Sequence, residues 1–360
     1  MLGGSLRLAK IAGIDVFVHW SFALLLAFVG FSQFAAGLGW AIALESMAFL
    51  LAVFGCVLLH EFGHAMAGKM YGIGTRDITL LPIGGLARLE RMPEAPGQEL
   101  VVALAGPAVN VVIAAGLFLV LLAMGTVGAL TQVAVISGSF LARLMWVNVA
   151  LVVFNMLPAF PMDGGRVLRA LMAMMMDRGQ ATRVASVIGQ LMAVLFMVAG
   201  AFLNGMLILV GLFIFFAARS EAAQVALQLK LKGAVVGQAM LTRFRALSAD
   251  EPLESAMREM MSDSQQDFPV VVYNRVVGMV DQEDVVAGLR SQPRLNFIGE
   301  VMRAAQSSVQ ETDALDSTVQ WMQSNGCSAI PVLRNRELVG LLTLPKLSHW
   351  LHYREAPAAA

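Results

Sequence analysis

Long apolar runs fill the first 218 residues, and they constrain this chain more than any other feature of its sequence. A helix needs about 20 apolar residues to cross a hydrocarbon core about 30 Å thick, and several of the runs are long enough. Most acidic and basic residues follow residue 218, although 58% of the whole chain is hydrophobic and only 14% is charged. The sequence therefore predicts one part in the membrane and one part in water.

Hydropathy predicts six crossings, of which the last two form a tight helical hairpin joined near Asn204 and Gly205. The amino terminus has no small-residue cleavage pattern after a short apolar core, so we expect the first apolar segment to be retained. The predicted spans are 16–37, 42–67, 99–125, 132–157, 185–203 and 205–218.

Positively charged residues alternate from one predicted loop to the next. They precede the first span and follow the second, fourth and sixth, whereas the loops at 38–41 and 126–131 carry no charge. By the positive-inside rule, both termini are cytoplasmic. We expect a multi-pass protein of the cell membrane, namely the inner membrane of a prokaryote.

Residues 70–98 are too polar for a helix in lipid and too rich in glycine and β-forming residues for a helix in water. Alternating apolar residues around the turn sequence PIGG predict a membrane-associated β-hairpin. The edge of such a hairpin must be shielded by protein or line a wet cavity, and it could accept an extended peptide strand. An ordinary cytoplasmic loop is the alternative.

Residues 58–67 read LLHEFGHAMA and bring ionisable groups into an apolar run. Residues i and i+4 share one face of a helix, so His60 and His64 can bind one ion while Glu61 stands beside it. Ionisable groups are costly within a bilayer, which favours a functional role. The alternative is two hydrogen-bonded core histidines and a glutamate whose carboxylate reaches the interface.

A catalytic zinc ion takes three protein ligands and keeps one position open for water. The third ligand could be His19, near the start of the first span, or Asp163 in the segment FNMLPAFPMDGGRVLRA. We favour Asp163, because Pro158 and Pro161 break the fourth helix on the membrane side where the second span also ends.

These motifs resemble those of the site-2 protease family of intramembrane zinc metalloproteases. HEFGH at 60–64 and the pattern N-x-x-P-x-x-P-x-D-G-G at 155–165 carry the resemblance. VHW at 18–20, PIGG at 82–85 and AGPAVN at 105–110 extend it over the membrane part.

The resemblance implies a zinc ion bound by His60, His64 and Asp163. Glu61 then activates the water, first as general base and later as general acid. Asn155 helps to hold or polarise the substrate, although its amide could instead satisfy the backbone of the broken helix.

The charged part of the chain repeats itself. Pro269 and Pro331 are 62 residues apart, and so are Gly278 and Gly340. Such a duplication predicts two copies that cover each other's apolar faces. The repeat resembles a pair of cystathionine β-synthase (CBS) domains, a combination found in one branch of the site-2 protease family.

The CBS resemblance implies an adenine nucleotide, such as ATP, that regulates the protease. Members of that family often carry the pattern G-x-x-T/S-x-x-D. The first copy reads GMVDQED, with Asp281 at the hydroxyl position and Asp284 at the acidic one, whereas the second reads GLLTLPK, with Thr343 and Lys346. The candidate nucleotide contacts are Asp284 and Thr343, and a structural or dimerising role is the alternative.

The predicted fold is a polytopic α-helical membrane protein, with about six transmembrane helices and a membrane-associated β-hairpin, joined to a soluble α/β tandem CBS domain. The predicted boundaries are 1–220 for the transmembrane metalloprotease domain, 221–232 for a linker, 233–292 and 293–352 for the two CBS domains, and 353–360 for a tail.

The leading hypothesis is therefore a zinc metalloendopeptidase that cuts membrane-anchored proteins near the cytoplasmic side. Its expected partners are the lipid bilayer, a single-span substrate such as an anti-sigma factor or a membrane-tethered transcription factor, and a second copy through the CBS domains. The net charge of zero gives no reason to expect nucleic acid, and the cysteines, Cys56 and Cys327, suggest no disulfide. The alternatives are a CBS-gated transporter or channel and a pseudoprotease that binds helices without cutting them.

Overall fold

The computed structural model describes residues 4–355, except 83, 91–92, 94, 127–137, 263–264, 274, 292–294 and 306. The chain divides into two compact units, Met1–Val225 and Ala226–Ala360. The predicted linker 221–232 lies almost wholly in a helix, which continues from the first unit as far as Leu231. Ile83 of the PIGG turn, residues 132–137 of the fourth predicted span and residues 356–360 of the tail lie outside the described residues.

The first unit combines helices with one small sheet. Its elements in chain order are β1 Ser5–Ile11, β2 Ile14–His19, α1 Trp20–Ala35, α2 Gly39–Met70, β3 Thr75–Leu81, β4 Gly84–Leu89, α3 Pro96–Ala123, α4 Phe140–Asn155, α5 Asp163–Ala173, α6 Arg178–Phe202 and α7 Gly205–Leu231.

Four of the described helices, α2, α3, α6 and α7, are long and apolar enough to cross a membrane. The first and fourth predicted spans correspond to α1 and α4, which are apolar but only 16 residues long. Six crossings therefore stays a prediction. The chain is a membrane protein with an α-helical membrane part.

The hairpin predicted at 70–98 forms, as β3 and β4, but it belongs to a larger sheet. The sheet has four strands in the order β1-β2-β3-β4, with β2 parallel to β3 and the other pairs antiparallel. The prediction that residues 16–19 begin the first span is wrong, because they belong to β2 and the helix begins at Trp20. An apolar run alone does not distinguish a buried strand from the start of a helix.

Helix α2 is the element on which the first unit is built. Ala65 of α2, Ile14 of β2 and Ile78 of β3 form a buried cluster that fixes the sheet against this helix. Helix α3 packs along α2, and α4 and α5 pack along α3. The histidines lie in the second half of α2, a helix that packs against α3 and α4 and against strands β3 and β4.

The described residues of the second unit form two sheets with the orders β5-β6-β7-β8 and β11-β10-β9. Each sheet has a buried apolar cluster of its own. The elements are α8 Val236–Ala239, β5 Leu247–Ser248, α9 Leu253–Ser262, β6 Asp267–Val272, β7 Arg275–Asp281, α10 Gln282–Arg290, α11 Ile298–Val301, β8 Arg303–Ala304, β9 Val309–Gln310, α12 Leu315–Asn325, β10 Ala329–Arg334, β11 Glu337–Thr343 and α13 Leu344–Glu355.

The repeat of 62 residues is visible in the strand register. Val270 pairs with Gly278 in the first copy, and Val332 pairs with Gly340 in the second. In both hairpins a register irregularity follows at the next residue. The same pattern of apolar residues has therefore folded twice into the same hairpin.

The first segment of each copy pairs with a strand of the other copy. Arg303, at the start of the second copy, pairs with Met279 of the first copy. Leu241, at the start of the first copy, bridges to Leu341 of the second copy. Because a segment of each copy pairs with a strand of the other, the two halves form one tandem CBS unit.

Candidate metal centre

Three buried side chains from two helices converge on one point. His60 Nε2 and His64 Nε2 lie 3.1 Å apart, and Asp163 Oδ2 lies 3.1 Å from the first and 3.2 Å from the second. All three residues are more than 90% buried. Among the described residues, they are the one group of three His, Cys, Asp or Glu side chains placed to hold a metal ion.

The outer nitrogen of each imidazole is bound to an oxygen. His64 Nδ1 lies 2.7 Å from the backbone carbonyl of Val102, and His60 Nδ1 lies 2.5 Å from the side-chain oxygen of Asn110. A carbonyl oxygen only accepts, so each Nδ1 donates its hydrogen. In a neutral imidazole, Nε2 then carries the lone pair that a metal ion requires.

This donor set fits a zinc ion. Two imidazole lone pairs and a carboxylate oxygen within 3.2 Å of one another repel unless a cation lies between them. Ligands at about 2.0–2.1 Å from a tetrahedral zinc ion are separated by about 3.3–3.4 Å, close to the triangle observed. Three protein ligands leave the fourth corner for water, as in a catalytic site.

Helix α3 approaches the imidazoles at a glycine. A Cβ atom at Gly106 would lie 2.2 Å from His64 Nε2 and 2.7 Å from His60 Nε2. Such contacts are too short for any side chain, so only glycine fits here. The segment AGPAVN thus keeps the space beside the histidines open.

Asp163 reaches the site from the first residue of α5. The chain leaves α4 after Asn155 and returns through a loop that contains Pro158 and Pro161, where the sequence predicts a break. A Cβ atom at Gly164 would lie 2.3 Å from the carbonyl oxygen of Leu157, so this glycine lets α5 start against the loop.

Glu61 points to the sheet. The backbone N–H of Ala87 in β4 donates to Glu61 Oε2 at 3.2 Å. A Cβ atom at Gly85 would lie 2.7 Å from Glu61 Cγ. Strand β4 therefore packs directly on the carboxylate that neighbours His60 in sequence.

The remaining residues predicted for this site are placed as follows. Asn155 Nδ2 donates to the carbonyl of Leu151 at 3.0 Å, which uses one of its two amide hydrogens. His19, the alternative third ligand, lies outside the cluster. Its Nδ1 accepts from the backbone N–H of Ser21 at 3.3 Å and caps α1.

Of the predicted nucleotide residues, Asp284 lies in the first turn of α10 and Thr343 is the last residue of β11, directly before α13. Asp284 bonds to the backbone N–H of Asp281 and pairs with Arg303 Nε at 2.9 Å. Thr343 Oγ1 accepts from the backbone N–H of Lys346 at 3.2 Å. Neither side chain lines the cleft between the two sheets, which Asp267, Arg303 and Trp321 help to form.

Sequence reasoning gave no role to Val102, Gly106, Asn110 or Ala87. Asn110 left a signal, because a carboxamide within an apolar run needs a partner. Val102 and Ala87 contribute backbone atoms, which no side-chain pattern reveals.

Comparisons with known proteins match two family models to this chain. The family model described as peptidase family M50 matches residues 48–135 and 128–199, and the CBS domain model matches residues 236–291.

Two relatives and one solved structure show how far the similarity extends along this chain. A zinc metalloprotease of Methanocaldococcus jannaschii is 32% identical over 278 residues, which cover 77% of this chain and 78% of the relative. Stage IV sporulation protein FB of Bacillus subtilis is 28% identical over 123 residues, 34% of this chain and 39% of that protein. The solved structure of a site-2 protease from M. jannaschii covers 61% of this chain and 95% of its own, with 35% identity and a TM-score of 0.44.

Proposed function

Since this chain belongs to peptidase family M50, the site-2 proteases, and is a zinc metalloendopeptidase of that family, we propose that it cleaves single-span membrane proteins near the cytoplasmic face of the cell membrane. The observation that carries the proposal is the triangle of His60 Nε2, His64 Nε2 and Asp163 Oδ2. A site for hydrolysis inside a membrane protein suits a substrate that is itself held in the membrane.

His60, His64 and Asp163 would hold the zinc ion. When bound, the ion supplies a Lewis acid that polarises the scissile carbonyl and makes a water molecule acidic enough to ionise near neutral pH. Glu61 would accept a proton from the attacking water and then donate it to the leaving amine. Both proton transfers need the Glu61 carboxylate in a fixed position, which the N–H of Ala87 provides.

The edge of the sheet is the proposed template for the substrate. Strand β4 stands at one end of the strand order, and its Ala87 N–H contacts Glu61. A substrate helix hides its peptide bonds in its own hydrogen bonds, so it must unwind before attack. An extended segment aligned with β4 would present a peptide bond beside Glu61.

Asn155 is proposed to stabilise the oxyanion that develops on the scissile carbonyl. Its bond to Leu151 orients the carboxamide and leaves a second amide hydrogen to donate. One well-placed donor of this kind contributes about 10²- to 10³-fold to the rate of an acyl transfer.

The proposed membrane topology follows from the charge pattern of the loops. Both termini, the ends of α2 and α4 and the tandem CBS unit are cytoplasmic, so cleavage releases a cytoplasmic product. A substrate such as an anti-sigma factor or a membrane-tethered transcription factor would make this release a signal.

We further infer that the CBS unit takes an adenine nucleotide and thereby adjusts proteolysis. Asp284, which now pairs with Arg303, is the proposed ribose contact, and Thr343 is the proposed phosphate contact. The boundaries 1–220, 233–292 and 293–352 are proposed as the protease and the two regulatory domains. Dimerisation through the CBS pair is the second role proposed for this unit.

Cleavage by purified full-length chain in proteoliposomes tests the function. Wild type is incubated with candidate single-span proteins beside Glu61→Gln, and Glu90→Gln, an exposed glutamate that follows β4, serves as the matched control. We expect cleavage by wild type and Glu90→Gln, whereas Glu61→Gln should bind zinc without cutting. Equal cleavage by all three would overturn the proposal, as would altered ion flux with no peptide product.

A further inference from the structure

Two asparagines lie entirely inside the apolar part of the first unit. Asn110 of α3 and Asn148 of α4 are both 0% exposed. A buried carboxamide costs about 1–3 kcal/mol when its hydrogen bonds are not satisfied. Both carboxamides are bonded, and their bonds lead from α4 to His60.

The direction of these bonds is fixed from one end. Asn148 contacts the backbone carbonyl of Leu144 at 2.9 Å, and because a carbonyl only accepts, the contacting atom must be Nδ2. Its Oδ1 therefore faces Asn110 at 2.8 Å, where it can only accept. The facing atom of Asn110 is thus Nδ2, and its Oδ1 meets His60 Nδ1 at 2.5 Å.

The last bond in this series, from His60 to Asn110, determines which ring nitrogen of His60 carries the hydrogen. Because Asn110 Oδ1 only accepts, His60 Nδ1 must carry the hydrogen, and Nε2 then keeps its lone pair for the metal ion. Asn148 Nδ2 also donates to Cys56 Sγ at 3.4 Å, so both of its amide hydrogens are used and the carboxamide cannot turn over without losing bonds.

We propose that Asn110 and Asn148 are positioning residues that set the tautomer and ring orientation of the metal ligand His60. The inference rests on the zinc site of the proposed function. The backbone of α4 acts on a ligand of α2 through two side chains, neither of which touches the metal position. Outer partners of this kind commonly change metal affinity by about 10- to 100-fold when they are removed.

A matched pair of substitutions separates this role from simple packing. Threonine and valine have nearly the same shape, but only the threonine hydroxyl can donate to the i−4 carbonyl of Leu144 and accept from Asn110. Asn148→Val therefore removes the hydrogen bonds of residue 148 to Leu144 and Asn110. Asn148→Thr keeps both bonds, with the same donor and acceptor roles. Both variants make the same change in volume.

The primary measurement is the pair of ¹⁵N chemical shifts of the His60 ring in metal-free, full-length protein. We expect one tautomer, with hydrogen on Nδ1, in wild type and in Asn148→Thr, and a mixture in Asn148→Val. This readout depends on neither zinc nor cleavage, so it can fail while the proposed function stands. Unchanged shifts in folded Asn148→Val would overturn the inference.

Zinc affinity, measured by competition with a chelator, is the second readout. We expect Asn148→Val to bind zinc about 10- to 100-fold more weakly than wild type and Asn148→Thr to recover most of the loss. Thr182→Val is the control, because Thr182 is equally buried and donates to the carbonyl of Arg178 at 2.8 Å without contact with the histidines. It should bind zinc as wild type does.

If Asn148→Val does not fold, Asn148→Ser and Asn148→Ala replace the pair, since serine also donates to the i−4 carbonyl. The same shifts and affinities are then compared. Equal zinc affinity in the serine and alanine variants would contradict the inference.

Discussion

The backbone N–H of Ala87 donates to the Oε2 atom of Glu61 across 3.2 Å and joins strand β4 to the proposed general base. A hydrogen bond to a charged acceptor contributes about 1.5 kcal/mol or more, which corresponds to about tenfold in rate if it is needed for orientation. Ala87→Pro removes this donor. We expect cleavage to fall about tenfold or more with zinc content unchanged, while Ala87→Ser, which keeps the N–H, should be nearly as active as wild type. Full activity of Ala87→Pro would show that Glu61 does not need this bond.

Helix α3 approaches the imidazoles of His60 and His64 so closely at Gly106 that one added methyl group should disturb the site. Gly106→Ala would place Cβ 2.2 Å from His64 Nε2 and displace the imidazole or the helix. We expect this variant to purify with little zinc. Gly116→Ala in the same helix is the control, because its added Cβ would have no atom within 4 Å apart from neighbouring residues and backbone of its own helix. Metal analysis of both proteins decides the point, and normal zinc content in Gly106→Ala would contradict the geometry of the site.

A buried ion-pair cluster holds the helix that carries Asp163. Arg169 of α5 is 1% exposed, donates from Nε to Glu99 of α3 at 2.7 Å and pairs with Glu221 of α7 at 2.8 Å. Arg169→Met leaves the buried Glu99 carboxylate with a weaker partner, and removing one partner of such a pair costs about 3–5 kcal/mol.

We expect Arg169→Met to lower the midpoint of thermal unfolding in detergent. The double variant Glu99→Gln with Arg169→Met should regain part of the loss, because it no longer buries a lone charge. Arg183→Met on exposed α6 surface is the control. A midpoint for Arg169→Met equal to that of the control would refute the structural role of the cluster.

The second unit should respond to pH through Asp267. Burial raises the pKa of this carboxyl above its ordinary value of 3.8, and the charges of Asp281 and Asp284 raise it further, whereas Ser328 and Arg303 oppose the shift. The folded state therefore binds the proton more tightly than the unfolded state. Asp267 contributes stability below pH 3.8 and loses it as pH rises through the folded pKa.

At neutral pH, Asp267→Asn removes the cost of the buried charge. We expect slower hydrogen exchange of β6 in the full-length variant than in wild type at pH 7, with a difference that narrows towards pH 4. Asp250→Asn is the control, because a bond from Ser248 lowers the pKa of Asp250. Its charged form therefore favours the folded state, so this substitution should not slow hydrogen exchange at pH 7. Faster exchange of Asp267→Asn than of wild type at pH 7 would show that the sign is wrong.

The pairing of His60 with His64 could be predicted from the sequence because it is local, whereas Asp163 is 103 residues from His60 and was favoured because of the break in the fourth helix. A spacing of four along one helix places His60 and His64 together. Pro158 and Pro161 end the fourth helix before Asp163, so the chain can turn there and bring the carboxylate back towards the histidines. The long-range contacts could not be predicted in this way. The bond from Asn148 to Asn110 depends on how α3 and α4 pack, and polar residues in an apolar run indicate only that some partner exists.

Hydropathy was least informative at the amino terminus. The segment IDVFVH alternates as a strand does and follows Gly13 at a positive φ, yet it runs directly into the apolar helix α1. A window that averages hydrophobicity joins the two, so β1 and β2 were not predicted. Pairing of β2 with β3 joins residues about 60 positions apart, which no local pattern encodes.

Zinc K-edge X-ray absorption of the purified full-length chain tests the central assignment most directly. The site of His60, His64 and Asp163 predicts one zinc ion per chain, nitrogen and oxygen neighbours at about 2.0–2.1 Å and no sulfur at about 2.3 Å. Asp163→Ala should lose most of the metal. A sulfur neighbour, or full zinc binding by Asp163→Ala, would contradict the assignment.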